Sequence, residues 1–132
     1  MTASAFYFEY DADNKVLAVR FTRVTDEVLR DFFNVAPRYV AECAVQLGIF
    51  DMTHASPIDL TADALRQLAR STPLIPDPMS RFVVAVSDVA FGMARLFQLS
   101  APGGRDSLFV VRSLDEAYAR LQIPEGRFIR LE

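Results

Sequence analysis

The five residues Phe82-Val-Val-Ala-Val86 decide the fold class of this 132-residue chain. An unbroken apolar run of this kind is typical of a parallel strand that is covered on both faces. Ser87 follows as a helix N-cap, and apolar residues recur at helical spacing from Asp88 to Leu99. A second buried strand, Leu108-Phe-Val-Val111, precedes a helix that the capping box Ser113-Leu-Asp-Glu116 opens and that runs to Leu121.

The first half of the chain alternates strands and helices in a similar way. Residues 5–10 and 16–21 flank a turn cluster at 11–14 and predict a β-hairpin. Thr25 is a plausible N-cap for a helix whose apolar face includes Phe32 and Phe33, and Pro37 should end that helix or begin a separate turn.

Two further elements connect these halves. Residues 45–52 form a short apolar run, which predicts a buried strand, and residues 61–71 predict a helix with Leu65 and Leu68 facing inward. Loops are expected at 72–80 and 101–105, where proline and glycine cluster, and residues 126–131 are a tail that could add an edge strand.

The element order β-β-α-β-α-β-α-β-α predicts a single α/β domain spanning residues 1–132. Strands that alternate with helices pair in parallel through right-handed crossovers, and the opening hairpin adds an antiparallel pair. We therefore expect a mixed sheet of four to five main strands with flanking helices and with the strand at 82–86 in the centre.

Composition limits the classes of function. The chain is 52% hydrophobic, which supports a packed core, and its net charge of -3 argues against a nucleic-acid partner. Apolar runs stay well short of the ~18 residues of a membrane span, and residues 1–15 carry acids and a single base, Lys15, unlike a signal peptide. A lone cysteine, Cys43, forms no internal disulfide. We expect a cytoplasmic protein.

Candidate catalytic residues are few. His54 is the only histidine, and it lies on the far side of a predicted strand from Cys43, so a Cys–His pair is not expected. Asp51, His54 and Asp59 could form a metal or acid–base site, although the ligand spacing is unlike that of a zinc site and a solvated loop histidine explains His54 equally. We expect no metal and no cofactor.

Thr61 is a candidate switch. It opens a helix beside Asp63, where unpaired N–H groups and the helix dipole favour an anionic group such as a phosphate. A plain threonine N-cap worth ~1 kcal/mol explains the same residue. Asp51, at the end of a buried strand, marks the sheet edge where α/β proteins place ligands and switches.

A contact surface is predicted on the helix that starts at Asp88. Five other apolar residues are predicted to face the core, namely Val89, Ala90, Met93, Leu96 and Phe97. Phe91 and Leu99 flank Arg95 on the opposite face and are surplus to the core. Either a partner, most simply a second copy of the chain with Asp88 near Arg95, or the loop at 100–106 should cover them.

Two segments give the chain a resemblance to a known family. The segments Leu47-Gly-Ile-Phe-Asp-Met-Thr53 and Ile58-Asp-Leu-Thr61 resemble the STAS domain of bacterial anti-sigma-factor antagonists, the SpoIIAA-like group. Those proteins have a strand ending in Asp-Leu-Ser and a helix opened by Asp-Ser-Ser/Thr-Gly, with the two aspartates eight residues apart, as Asp51 and Asp59 are here. The segments at 82–86, 91–97 and 110–121 are similar to the second half of such domains.

The resemblance implies a phosphorylatable residue at Thr61, supported by Asp59. The chain departs from the family pattern at Leu60, which replaces a serine, and at Ala62, which replaces a glycine through which the partner approaches. Pro37 lies in the predicted first helix, at a position where the family varies in sequence. The scaffold matches the family better than the switch does.

These patterns together predict a non-enzymatic regulatory module of the STAS type, which acts through contact with a protein partner or with its own copy as a homodimer. One alternative is a binder of a small apolar or lipid-like ligand, in a pocket lined by Phe32, Phe33, Met93 and Phe97. A second alternative is an enzyme using Asp51, His54 and Asp59.

Overall fold

Six strands form one mixed sheet in a computed structural model, which describes residues 4–70, 80–101, 108–123 and 127–131. The strands of this sheet are β1 (Phe6–Asp11), β2 (Val16–Phe21), β4 (Leu47–Asp51), β6 (Arg81–Val84), β7 (Leu108–Val111) and β8 (Ile129–Arg130). Two short strands, β3 (Val24–Thr25) and β5 (Ile58–Asp59), pair in parallel as a separate sheet. The helices are α1 (Asp26–Glu42), α2 (Ala62–Ala69), α3 (Asp88–Ser100) and α4 (Leu114–Leu121).

The order of strands across the sheet explains where the helices lie. The order is β7-β6-β4-β2-β1-β8, so the four parallel strands lie side by side in the order in which the chain makes them. Right-handed crossovers that always advance in one direction put their helices on one face of a sheet. Helices α1, α2 and α3 accordingly share one apolar core, and α4 packs on the other face.

Alternation along each strand divides the apolar residues between these two cores. Leu17, Val19 and Phe21 of β2 face α1, α2 and α3, while Val16 and Ala18 face α4. Because side chains of a strand point alternately to opposite faces, both faces are apolar and the strands read as continuous hydrophobic runs.

The predicted α/β class and mixed sheet are confirmed, with two differences. The sheet has six strands because the tail adds β8, which pairs with the outer side of β1. The segment at 82–86 was expected in the centre; β6 is an interior strand between β4 and β7, but β2 and β4 occupy the middle. The strand itself ends at Val84, and Val86 is exposed.

All four predicted helix caps are present. The hydroxyls of Thr25, Thr61, Ser87 and Ser113 each accept a hydrogen bond from the backbone N–H three residues ahead, at 3.1–3.2 Å. Glu116 completes the box of α4 in a shifted form, because its carboxylate accepts from the N–H of Arg112.

The prediction that Pro37 ends or interrupts the first helix is wrong, since α1 continues through it to Glu42. Side chains on both sides of the proline hold the helix against the sheet. Phe32 and Ala36 are buried before it, and the ring of Tyr39 stacks on Phe8 after it with the ring centroids 4.1 Å apart. Pro37 itself faces solvent, so tertiary packing outweighs its local cost.

The core-facing arc of α3 also differs from its prediction at one position. Val89 was expected in the core and is 57% exposed, because it belongs to the exposed start of α3, where Ser87 and Asp88 are exposed as well. Ala90 and Ala94 are buried. The predicted loops over 72–80 and 101–105, and Ser71 at the end of the predicted second helix, fall almost entirely outside the described residues.

Candidate functional site

A cavity of about 140 Å³ lies between the sheet and helices α1, α2 and α3. The four side chains expected to line an apolar pocket, Phe32, Phe33, Met93 and Phe97, all line it. Of the lining residues that belong to the described ranges, all are apolar or glycine except Arg81. A space of this size can hold a molecule such as benzene or xenon.

The cavity occurs where one strand carries no side chain. Leu17, Gly48, Arg81 and Leu108 are partners in a single row across β2, β4, β6 and β7, and all four line the cavity. Gly48 is buried in that row. Gly48 contributes no side chain to the cavity wall, and its neighbours in the row, Leu17 and Arg81, border the same cavity.

Aromatic rings form one wall of the cavity. The ring of Phe50, one row along the same face of β4 from Gly48, lies 4.3 Å from that of Phe21 and 5.2 Å from that of Phe32, measured between ring centroids. Phe32 in turn packs edge-on against Phe33, which approaches Phe97 of α3. Interlocked rings of this kind hold their positions, so this wall is rigid.

Arg81 is the charged residue of the lining. It is the first residue of β6, is 9% exposed, and belongs to the face that α1, α2 and α3 cover, two residues before Val83. A guanidinium is always charged and presents five N–H donors in a planar fork. Among the described residues, the lining is therefore apolar apart from Arg81, which also has partners within the chain.

A buried ionic network lies on the opposite face of the sheet. Arg20 of β2 donates to the carboxylates of Glu9 at 2.6 Å and Asp51 at 3.0 Å, and the ring of Phe128 lies 5.1 Å from its guanidinium carbon. Burial alone would lower the pKa of Arg20, but hydrogen bonds to Glu9 and Tyr118 outweigh it and raise the pKa. This network joins three neighbouring strands to α4.

The network accounts for Asp51, the first member of the predicted metal or acid–base site. Its carboxylate also accepts from the N–H and the hydroxyl of Thr53. His54 lies exposed in the following turn and Asp59 lies exposed in β5, and neither side chain forms a hydrogen bond or ion pair with the described part of the chain. No group of three metal-ligating side chains occurs among the described residues.

Cys43 and His54 lie beyond opposite ends of β4, as expected. Cys43 is half-buried at the C-cap of α1, where its N–H donates to the carbonyl of Tyr39. Burial, with a smaller contribution from Glu42, raises the pKa of its thiol. A raised thiol pKa reduces the thiolate fraction and the reactivity of the residue.

Thr61 is exposed, and its hydroxyl has two partners. It caps α2 and also donates to the carboxylate of Asp26 at 2.8 Å, while the N–H of Thr61 donates to the other oxygen of that carboxylate at 2.9 Å. Asp26 therefore joins the start of α1 to the start of α2. No local pattern in the sequence predicts this pair, whose members are 35 residues apart.

The predicted contact surface of Phe91, Arg95 and Leu99 is only partly open. Phe91 is half-buried against the core of α1 to α3, and the guanidinium carbon of Arg112 lies 4.1 Å from its ring centroid. Arg95 donates to Gln98 at 2.6 Å, and Leu99 is 71% exposed.

Asp88, the carboxylate expected near Arg95 in a homodimer, also has a partner within its own chain. It accepts from Arg112 at 3.1 Å, because β7 places Arg112 beside the first turn of α3. The predicted cover of this surface by residues 100–106 lies almost entirely outside the described part of the chain.

The chain was compared with protein-family models, with curated proteins and with solved structures, and none of the three comparisons found a match. In the described ranges, no helix is both long and apolar enough to cross a membrane.

Proposed function

We propose that this chain is a non-enzymatic binding domain that holds a small apolar molecule in the cavity between its sheet and helices α1, α2 and α3. The observation that carries the proposal is the apolar cavity itself, whose lining includes Gly48 and the rings of Phe32, Phe33 and Phe97. Native interiors are packed to crystal-like density, so a space of about 140 Å³ in a core this rich in large side chains is unusual.

Stability gives a direct test of the proposal. Benzene should raise the unfolding temperature of the wild-type chain, because a ligand that binds only the folded state stabilises it by a free energy that grows with the logarithm of its concentration once this exceeds the Kd. Gly48→Val should remove the effect by filling the cavity. Gly92→Ala is the matched control, since a methyl group at that exposed position of α3 meets open space.

A second variant guards against misfolding of Gly48→Val. Ala94 of α3 lines the cavity from the helix side, so Ala94→Leu fills the same space without altering the sheet. If benzene leaves the unfolding temperature of the wild type unchanged at millimolar concentration, or if both filled variants still respond, the binding proposal is wrong.

A second candidate function is regulation through protein contact, as the STAS-like segments suggest. It is favoured by Leu99, which is 71% exposed on α3 beside Arg95. Sedimentation of the wild type and of Leu99→Asp tests self-association, since burying a leucine contributes about 1.5–3 kcal/mol. A wild type that stays monomeric at high concentration would exclude a homodimer through this surface.

A further inference from the structure

We infer that the outer edge of β7 is a self-association surface that the side chains of Gln98 and Glu116 keep closed, and that the strand it accepts is β7 of a second copy of this chain. This inference is independent of the cavity. It starts from the order of the sheet, in which β7 is the outermost strand at the end opposite β8. A strand at the edge of a sheet offers a row of backbone N–H and C=O groups to another strand.

The pairing of β7 with its neighbour determines which backbone groups face outward. The carbonyl of Val111 accepts from the N–H of Ala85 at 2.8 Å, so Val111 directs its backbone groups toward the inside of the sheet. Because successive residues of a strand direct these groups to opposite edges, Leu108, Val110 and Arg112 direct theirs away from the sheet.

Side chains cover both ends of this outer edge. The amide of Gln98 on α3 donates to the carbonyl of Leu108 at 2.5 Å, and the carboxylate of Glu116 on α4 accepts from the N–H of Arg112 at 3.2 Å. Among the described residues, Val110 between them receives no such side chain. Covering an edge is one of the ways in which proteins prevent edge-to-edge pairing, so we call these two side chains the edge caps.

Arg95 orients the edge cap at Gln98. Its guanidinium donates to the oxygen of the Gln98 amide at 2.6 Å, so the nitrogen of that amide is the atom that faces Leu108. An amide offers an acceptor oxygen and a donor nitrogen, and its two partners here match that polarity. Arg95, which was predicted to be part of a contact surface, is therefore a positioning residue for this cap.

The two capped groups are complementary to each other, which selects a second copy as the partner. When two β7 strands pair antiparallel about a twofold axis at Val110, the carbonyl of Leu108 in each copy faces the N–H of Arg112 in the other. The same register places Val110 opposite its own copy and Phe109 opposite Val111, which are favourable apolar pairs. Pairing thus replaces each edge cap with a backbone hydrogen bond of the same polarity.

Sedimentation equilibrium of variants without the edge caps tests the inference. Gln98→Ala/Glu116→Ala should self-associate at least about tenfold more tightly than the wild type, because a dimer of the wild type must displace both caps in both copies. Glu116→Gln alone keeps an acceptor oxygen and should behave like the wild type. Glu42→Ala/Gln46→Ala is the matched control, since it removes an exposed carboxylate and an exposed amide at the end of α1 and just before β4.

A proline at position 110 gives the reciprocal test. The N–H of Val110 faces outward, so Val110→Pro leaves the bonds between β6 and β7 in place and removes a donor that edge pairing requires. Adding Val110→Pro to the variant without caps should restore the sedimentation of the wild type. Association that persists with this proline would mean that another surface, such as the one around Leu99, is responsible, and would overturn the inference.

Hydrogen exchange gives a measurement that does not require the proline variant to fold. The N–H of Val110 should exchange rapidly in the wild type and become protected in the variant without caps as its concentration rises. Protection of this N–H in the wild type at low concentration would mean that the edge is already covered, and would overturn the inference. Equal sedimentation of the wild type and of the variant without caps at every concentration would overturn it as well.

Discussion

At the scale of single residues, the contact between Asp26 and Thr61 connects two helix starts. The carboxylate accepts both the N–H and the hydroxyl of Thr61, and the same hydroxyl caps α2. The Thr61 side chain therefore caps α2 and also, through Asp26, connects the start of α2 to the start of α1. A phosphate on Thr61 would remove the hydroxyl donor and put two negative groups side by side, so modification there would separate the two helix starts.

Thr61 gives a graded prediction. Thr61→Ala should lower the free energy of unfolding by about 1–2 kcal/mol through loss of the cap. Thr61→Glu should lower it further, because the new carboxylate repels Asp26. Urea unfolding of both variants measures the order, and Asp26→Asn combined with Thr61→Glu is the control that removes the repulsion. A Thr61→Glu variant that is as stable as the wild type would contradict the predicted repulsion.

The Arg20 network gives a second prediction at this scale. Arg20→Met should lower the free energy of unfolding by about 3–5 kcal/mol, because it leaves the buried carboxylate of Asp51 without its cation. Arg127 provides the control. It pairs with Asp13 at the same 3.0 Å, but both side chains are mostly exposed. Arg127→Met should therefore cost less than about 1 kcal/mol in the same urea titration. Similar losses for the two variants would contradict the expected effect of burial.

The sequence predicted these residues unequally. The caps at Thr25, Thr61, Ser87 and Ser113 were predictable because each bond spans three residues. The ion pair of Arg20 with Asp51 spans 31 residues and depends on the sheet register, which no local pattern encodes. Without that register, Asp51 resembled a residue at the edge of an active site, although it stabilises the fold.

At the scale of elements, α1 shows how packing overrides a local signal. Its exposed Pro37 cannot donate a backbone hydrogen bond inside the helix, yet the aromatic residues of its buried face keep it continuous. The two-residue strand β8 shows the opposite limit. The sequence indicated that residues 126–131 could add an edge strand, but a strand this short has too few residues for a periodic pattern, so its bounds follow from its pairing with β1.

Replacing the proline of α1 should stabilise the folded chain. Pro37→Ala should raise the free energy of unfolding by about 1–2 kcal/mol, because the restored hydrogen bond exceeds the entropy that proline removes from the unfolded chain. Asn34→Ala, at another exposed position of α1, is the control for helix propensity alone and should gain no more than about 0.7 kcal/mol. Thermal unfolding measures both, and a destabilised Pro37→Ala would show that the proline suits the helix geometry.

At the scale of the whole molecule, the alternation of strands and helices predicted the α/β class, because each crossover must bury an apolar face against the sheet. The same reasoning named four aromatic and methionine side chains of the cavity from their excess on the helices. It missed Gly48 and Arg81, since a cavity arises only when neighbouring strands are aligned. The register of β4 and β6, which the structure supplies, brings Gly48 and Arg81 together in the wall of the cavity.

The cavity that Gly48 helps to line also affects how the folded chain responds to hydrostatic pressure. Hydrostatic pressure favours the state of smaller volume, and unfolding eliminates internal voids, so a cavity makes the volume change of unfolding more negative within the usual range of about -20 to -100 mL/mol. High-pressure fluorescence of the four tyrosines can measure that change. Gly48→Val should make it smaller and raise the midpoint pressure, whereas Gly92→Ala should leave the volume change as it is. An unaltered volume change in Gly48→Val would mean that the space is already occupied in solution.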